Sequence, residues 1–308
     1  MKTKEEIKLT MGYAEKVEKA LNNRSDEYYV KENRKKGKYL NSLQIGEGAI
    51  GEIKKIDTTE IIPIFVGASD QECDRIQEKI LVYTLQKNTN RKLKIHFLRA
   101  SDFQGVNASG WGTPFTCLRY AIPKLMNYEG KAIYMDMDMI NFRDIGEFFD
   151  IYLHGKPFGM VWDAKQNAGE KGTGNYCDSL MLIDCALSKH FFDWDEVHNW
   201  YQPNAFKWTF MDRIQKYEKN PKNRRQNDAV INIDSRWNCF DGYKTDSEVI
   251  DGEQEKYNLD QIFQLHFTAL SYQPWHSSYL MSAKATHERA DLTDYWWSLV
   301  DEVNRLDF

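Results

Sequence analysis

Residues 131–140 read KAIYMDMDMI, an apolar run that breaks into two aspartates one residue apart. Ala132, Ile133, Tyr134 and Met135, bounded by Gly130, form the pattern of a buried strand. Side chains in extended backbone repeat every second residue, so Asp136 and Asp138 are expected on one face. Two carboxylates at the end of a core strand make an oxygen-rich seat for a hard divalent cation. Ligands of open α/β sheets collect beyond the carboxyl ends of strands, where this pair falls. A solvated acidic turn is the competing explanation, and the strand in front of the pair is what favours a metal.

The chain before this segment alternates. IIPIFVG (61–67) reads as a strand that ends in a small polar loop, Gly67, Ala68, Ser69 and Asp70. A helix follows with Ile76, Ile80 and Tyr83 on one stripe. KLKIHFL (92–98) is a second strand with Leu93, Ile95 and Phe97 alternating. Phe115, Leu118, Ile122 and Leu125 mark another helix, interrupted at Pro123. Strand, helix, strand, helix, strand is the grammar of an α/β layer fold with neighbouring parallel strands. Further on, PFGMVWD and SLMLID read as buried strands, separated by a glycine-rich, charged segment expected to be a mobile loop beside the site. Residues 186–225 read as irregular helix with an aromatic cluster from Phe191 to Trp208, and QIFQLHF (261–267) as a late strand. The last element is amphipathic, with Leu292, Tyr295, Trp296, Leu299, Val303 and Leu306 on one face and Asp291 as its expected cap. Its polar face is acidic, which favours core packing of Trp296 and Trp297 over a membrane surface.

The expected organisation is a charged N-terminal extension over 1–60, one α/β domain over 61–285, and a C-terminal helix over 286–308 packed on it. The formal charge of −5, with both signs well mixed, excludes the basic face that nucleic-acid binding needs. The basic run at 31–39 reads as a solvated face, with contact to a membrane periphery or a phosphorylated acceptor as its functional alternative. Cys73, Cys117, Cys177, Cys185 and Cys239 are odd in number and lack a CxxC spacing, so neither a zinc knuckle nor a disulfide framework is expected. No signal peptide or membrane span is visible, and a cytoplasmic protein is the expectation.

Several separated segments resemble one family. IFVGASD, TPFTCLRYAIPKL, IYMDMDMINFRDI, DSLMLIDC and LHFTALSYQPW, in this order, resemble glycosyltransferase family eight and related small bacterial nucleotide-sugar transferases of the GT-A fold. The resemblance spans roughly residues 61–280. It implies a mixed, mostly parallel sheet flanked by helices, and a retaining, metal-dependent transfer of a hexose from a UDP-sugar to a glycan, lipid-linked or protein acceptor. It also implies that Asp136, Asp138 and His266 hold Mn²⁺ or Mg²⁺, and imidazole ligation favours manganese. Gly67, Ala68, Ser69 and Asp70 would then receive the nucleotide, although Gly67 also reads as an ordinary turn glycine. An arginine at the position of Arg119 reaches the donor in this family, and a surface ion pair is the competing reading. Trp275 and Asp136 complete the implied donor site. Many relatives carry lysine before Pro-Trp; this chain has Gln273, which offers a hydrogen bond but no charge. Asp228 is the candidate nearest the anomeric carbon, with Asp178 as its companion on sugar hydroxyls.

Two other enzyme classes fit poorly. Phosphatases with Asp-x-Asp place it near the domain start and follow it with Thr or Val, whereas Met139 follows here. Sugar nucleotidylyltransferases open with a glycine-rich, arginine-containing loop that GASDQECDR does not resemble. A nucleotide-sugar-binding protein on a degenerate transferase scaffold is the non-enzymatic alternative. Trp200, Tyr201, Phe206 and Trp208 suit either an acceptor platform or a second core.

Overall fold

The computed structural model describes residues 61–103, 106, 111, 113–163, 175–192, 194, 229–241, 258–268, 270–276 and 289–306. The N-terminal extension, the glycine-rich loop, Asp228 and the aromatics Trp200, Tyr201, Phe206 and Trp208 lie outside the described residues.

The strands are β1 (Ile61–Gly67), β2 (Lys92–Leu98), β3 (Lys131–Asp136), β4 (Met139–Asn141), β5 (Phe158–Asp163), β6 (Asn175–Asp184), β7 (Val230–Ile233), β8 (Cys239–Phe240) and β9 (Gln264–His266). They form a six-stranded sheet in the order β2-β1-β3-β6-β5-β7 and a three-stranded sheet in the order β4-β9-β8. In the large sheet, β1 pairs in parallel with β2 and β3, and β5 with β7; β6 runs antiparallel to both its neighbours. The sheet is therefore mixed and mostly parallel, as expected. Pro63 is tolerated in β1 because pairing with β3 begins only at Ile64.

Helix α1 (Arg75–Lys87) packs between two hydrophobic clusters. Leu81, Val82 and Leu85 join the large core with β1, β2, β3 and β6, while Ile76, Ile80 and Tyr83 join a second cluster with β9 and the C-terminal helix. Burial on both faces explains why its amphipathic stripe is incomplete. The segment 116–125 departs from the expected helix: a 3₁₀ stretch (Thr116–Ala121) precedes the short α2 (Ile122–Leu125), and Leu125 is 48% exposed. Pro123 sits in the first turn of α2, where its missing N–H costs no intrahelical bond. Gly130 follows at φ +67, a conformation open to glycine, and turns the chain into β3.

Helix α3 (Ile145–Phe149) is capped by Asp144, whose carboxylate accepts from the Gly146 amide. Helix α4 (Ala290–Arg305) buries Leu292, Trp296, Trp297, Leu299, Val300 and Val303, so both tryptophans serve the core. Asp291 is not its cap: Arg289 occupies that position, and Asp291 lies in the first turn, paired with Arg289 at 2.6 Å. No helix among the described residues is long and apolar enough to cross a membrane. All five cysteines are free, with Cys73 the least buried.

Candidate metal centre

β3 delivers Asp136 as its last residue, and Asp138 stands in the turn between β3 and β4. Their convergence thus comes from a turn, not from the strand alternation expected. His266 ends β9, and its register against Met139 in β4 brings it beside that turn. Ligand atoms of Asp136, Asp138 and His266 all lie within 4.8 Å of one another.

The donor chemistry fits a cation. His266 Nδ1 lies 3.0 Å from Asn238 Oδ1, and the same amide donates from Nδ2 to Ser179 Oγ at 3.0 Å. Nδ1 therefore carries the proton of the neutral ring, and Nε2 presents a lone pair. That lone pair faces Asp138 Oδ1 at 3.2 Å, a buried oxygen with no hydrogen bond. In the neutral ring two lone pairs face one another and repel, and either a proton on Nε2 or a metal cation between the two atoms removes the conflict. Asp138 is fixed from behind: its Oδ2 accepts from Gln273 Nε2 at 2.9 Å, and its carbonyl accepts from the Phe267 amide at 2.9 Å.

Asp136 accepts from the Tyr134 hydroxyl and lies 3.4 Å from Arg119 Nη2. Arg119 is buried, with Nη1 3.1 Å from Asp178 Oδ1 and its guanidinium 4.6 Å above the Tyr134 ring. The surface ion pair considered for Arg119 is thus replaced by a buried one bridging two carboxylates. Burial pushes the Asp136 carboxyl up to about 6; Arg119 opposes that rise and the nearby Asp138 charge adds to it. Burial alone would lower the His266 imidazole, but Asp138 and then Asp136 hold it above its usual value.

A bulge in β6 supplies two of these groups. Met160 of β5 pairs with Met181 and Val161 with Cys177, so Asp178, Ser179 and Leu180 have no partner in β5. Asp178 turns to Arg119, which also reaches Asp136, and Ser179 to Asn238, which also reaches His266. Asp178 Oδ2 is buried and has no hydrogen bond.

The loop after β1 lies alongside. Gly67 is in register with Asp136, and its carbonyl accepts from the Met137 amide at 3.0 Å. Gly67 is demanded by packing as well as by any ligand: a Cβ there would strike the Tyr134 hydroxyl and come within 2.7 Å of Phe115. Ala68 is buried, Ser69 donates to Asp74, and Asp70 accepts from Ser101 Oγ at the surface. Two expected donor contacts are placed elsewhere. Trp275 is fully buried, edge-on to Phe267 and tilted against Trp296, with its indole N–H on Asp74 at 2.8 Å. Gln273 is buried, with Nε2 shared between Asp138 and the Phe267 carbonyl, so it supports a carboxylate instead of presenting its amide to a diphosphate.

Sequence reasoning missed Gln77, Asn238 and Tyr134. Gln77, in the first turns of α1, donates to the carbonyls of Met137 (3.0 Å) and Met139 (2.9 Å), the residues flanking Asp138. Asn238 had no local signature, whereas Tyr134, two residues before Asp136 on one strand face, was legible in principle.

The chain matches the family model described as Glycosyl transferase family 8 over residues 69–278. Among solved structures it is similar to the galactosyltransferase LgtC, at 12% identity and a TM-score of 0.48, over 78% of this chain and 96% of that one. The glycosyltransferase GlyE of Streptococcus pneumoniae TIGR4 aligns at 17% identity and a TM-score of 0.47, over 78% of this chain and 61% of that one. Mouse xyloside xylosyltransferase 1 aligns at 13% identity and a TM-score of 0.45, over 68% and 99%. No curated protein matches the chain.

Proposed function

As the chain belongs to glycosyl transferase family 8 and has its α/β GT-A-like fold, we propose that it moves a hexose from a UDP-sugar to a glycan, lipid or protein acceptor, with retention at the anomeric carbon. The observation that carries this reading is the buried, unbonded Asp138 Oδ1 facing His266 Nε2, with Asp136 in the same cluster.

In this reading Asp136, Asp138 and His266 hold Mn²⁺ or Mg²⁺, and the imidazole favours manganese. The bound ion supplies Lewis-acid stabilisation for charge developing on the leaving diphosphate. The chain's own groups do the positioning. Ala68, Ser69 and Asp70 receive the nucleotide, next to Asp136 by virtue of the β1–β3 register. Arg119 keeps Asp136 and Asp178 oriented and their negative charge balanced. Asp178 Oδ2, buried and without a hydrogen bond, accepts from a sugar hydroxyl. A departing phosphate oxygen takes the acceptor's proton in a front-face route, so orientation matters more than an activated side chain. Asp228 and Asp178 are the candidates should a covalent intermediate form.

The test is hydrolysis and transfer of UDP-glucose and UDP-galactose with Mn²⁺, comparing the wild type with Asp138→Ala. Turnover that is unchanged in the variant overturns the assignment. Donor binding without turnover across a panel of acceptors favours the nucleotide-sugar-binding alternative.

A further inference from the structure

A second cluster of ligand-type side chains lies outside this centre. Cys73 Sγ, an Asp74 carboxylate oxygen and a His276 ring nitrogen lie within 4.8 Å of one another. We propose that Cys73, Asp74 and His276 form a second divalent-metal site, with a thiol–carboxylate–imidazole donor set that selects Zn²⁺.

The imidazole argues first. His276 Nδ1 lies 3.1 Å from the Leu270 carbonyl, and Nε2 lies 3.1 Å from Asp74 Oδ1. Both partners are acceptors, and a neutral ring has one N–H for the two of them. The carbonyl fixes that N–H on Nδ1, as a backbone carbonyl commonly does for a metal-bound histidine. Nε2 then needs either a second proton or a metal ion between it and Asp74. That position is one a cation occupies well.

The carboxylate is already braced as a ligand. Asp74 is 4% exposed; its Oδ2 accepts from Ser69 Oγ and its Oδ1 from Trp275 Nε1 at 2.8 Å. Outer contacts of this kind orient ligating carboxylates. Cys73 Sγ lies 4.0 Å from Asp74 Oδ1 and 3.6 Å from Gln71 Oε1. Cys73 is partly exposed and Gln71 exposed, so the cluster opens to solvent on this side. Sulfur ligates a metal as the thiolate. Metal binding therefore releases the thiol proton and, from imidazolium, the Nε2 proton. The two clusters differ in softness: two carboxylates and an imidazole at one, a thiolate in place of a carboxylate at the other. Three protein ligands leave a fourth zinc position for water or a small anion.

The site is tested on the full chain, stripped with EDTA and titrated with Co²⁺ as an optical stand-in for Zn²⁺. The expected result is a thiolate-to-cobalt charge-transfer band with tetrahedral visible absorption, both erased by Zn²⁺. Cys73→Ser removes the charge-transfer band, His276→Gln weakens Co²⁺ binding at least about tenfold, and Asp138→Ala leaves the band in place. The other four cysteines are buried, so the band reports on Cys73. Absence of the band in folded wild type at saturating Co²⁺ overturns the proposal, as does its survival in Cys73→Ser or its loss in Asp138→Ala. Because the first of these outcomes needs no variant, misfolding of a variant does not shield the proposal.

Discussion

Trp296 donates its indole N–H to Gln77 Oε1 at 2.7 Å, joining the C-terminal helix to α1 across 219 residues of sequence. The amide nitrogen of the same Gln77 grips the carbonyls on either side of Asp138. The C-terminal helix is therefore connected to the metal-bearing turn through a single buried side chain.

Replacing Gln77 with Leu removes this link while keeping bulk. It leaves the Met137 and Met139 carbonyls and the Trp296 N–H without partners, each of which costs roughly 1–3 kcal/mol when buried. The expected loss is at least about 3 kcal/mol in urea unfolding, together with weaker Mn²⁺ binding. Trp296→Phe should cost less, because the two carbonyl contacts remain. Equal effects of the two variants on Mn²⁺ affinity would contradict the link as drawn.

Gln273→Ala frees Asp138 Oδ2 and removes the Gln273 contact to the Phe267 carbonyl. Mn²⁺ affinity should fall by about 10–100-fold, the usual cost of losing a group that orients a ligand. Isothermal titration of the folded variant measures this, and an unchanged affinity would show that Gln273 does not position Asp138.

Gly67→Ala should destabilise by about 1–3 kcal/mol through overpacking against Tyr134 and Phe115. Adding Tyr134→Phe removes the nearer obstruction and should restore part of that loss, so the double-mutant cycle should show a favourable coupling. Strict additivity would mean that the backbone moves away instead.

Mn²⁺ must displace protons from its ligands. Asp136 titrates near 6 in the metal-free fold and His266 above its usual value, so below pH 6 both hold protons that compete with the ion. The rise in Tm produced by a fixed Mn²⁺ concentration should therefore grow from pH 5.5 to 7.5. In the metal-free protein the sign is opposite. Both groups bind protons more tightly folded than unfolded, so their contribution to stability declines as pH rises from about 4 through 6 for Asp136 and above 6.5 for His266. A Tm increment that shrinks with pH would exclude these residues as the ligands.

Much of the scaffold was legible because its signals are local. β1, β2 and β3 are short apolar runs bounded by turn residues, and the Asp pair stands at the end of one of them. His266 entered only through family resemblance, since nothing in QIFQLHF marks a ligand. The supporting groups were out of reach for a physical reason: Gln77, Asn238 and Ser179 act through partners 28 to 219 residues away and carry no periodicity of their own. Trp275 entered through the family resemblance alone, and its sequence neighbourhood does not show that its indole N–H is taken up by Asp74 inside the second core. The bulge that presents Asp178 and Ser179 depends on pairing with β5, which no reading of β6 alone contains.

Because β3 belongs to one sheet and β4 to the other, two residues, Met137 and Asp138, span the whole gap between the layers. Their number sets the spacing between carboxylate and imidazole as the tooth count sets the mesh of two gears. One residue more or fewer would slide Met139 off His266, invert the inward face of β4 and open the seat, while β1, β2 and β6 stayed intact. This short span should therefore tolerate substitution of Met137 far better than any change of length.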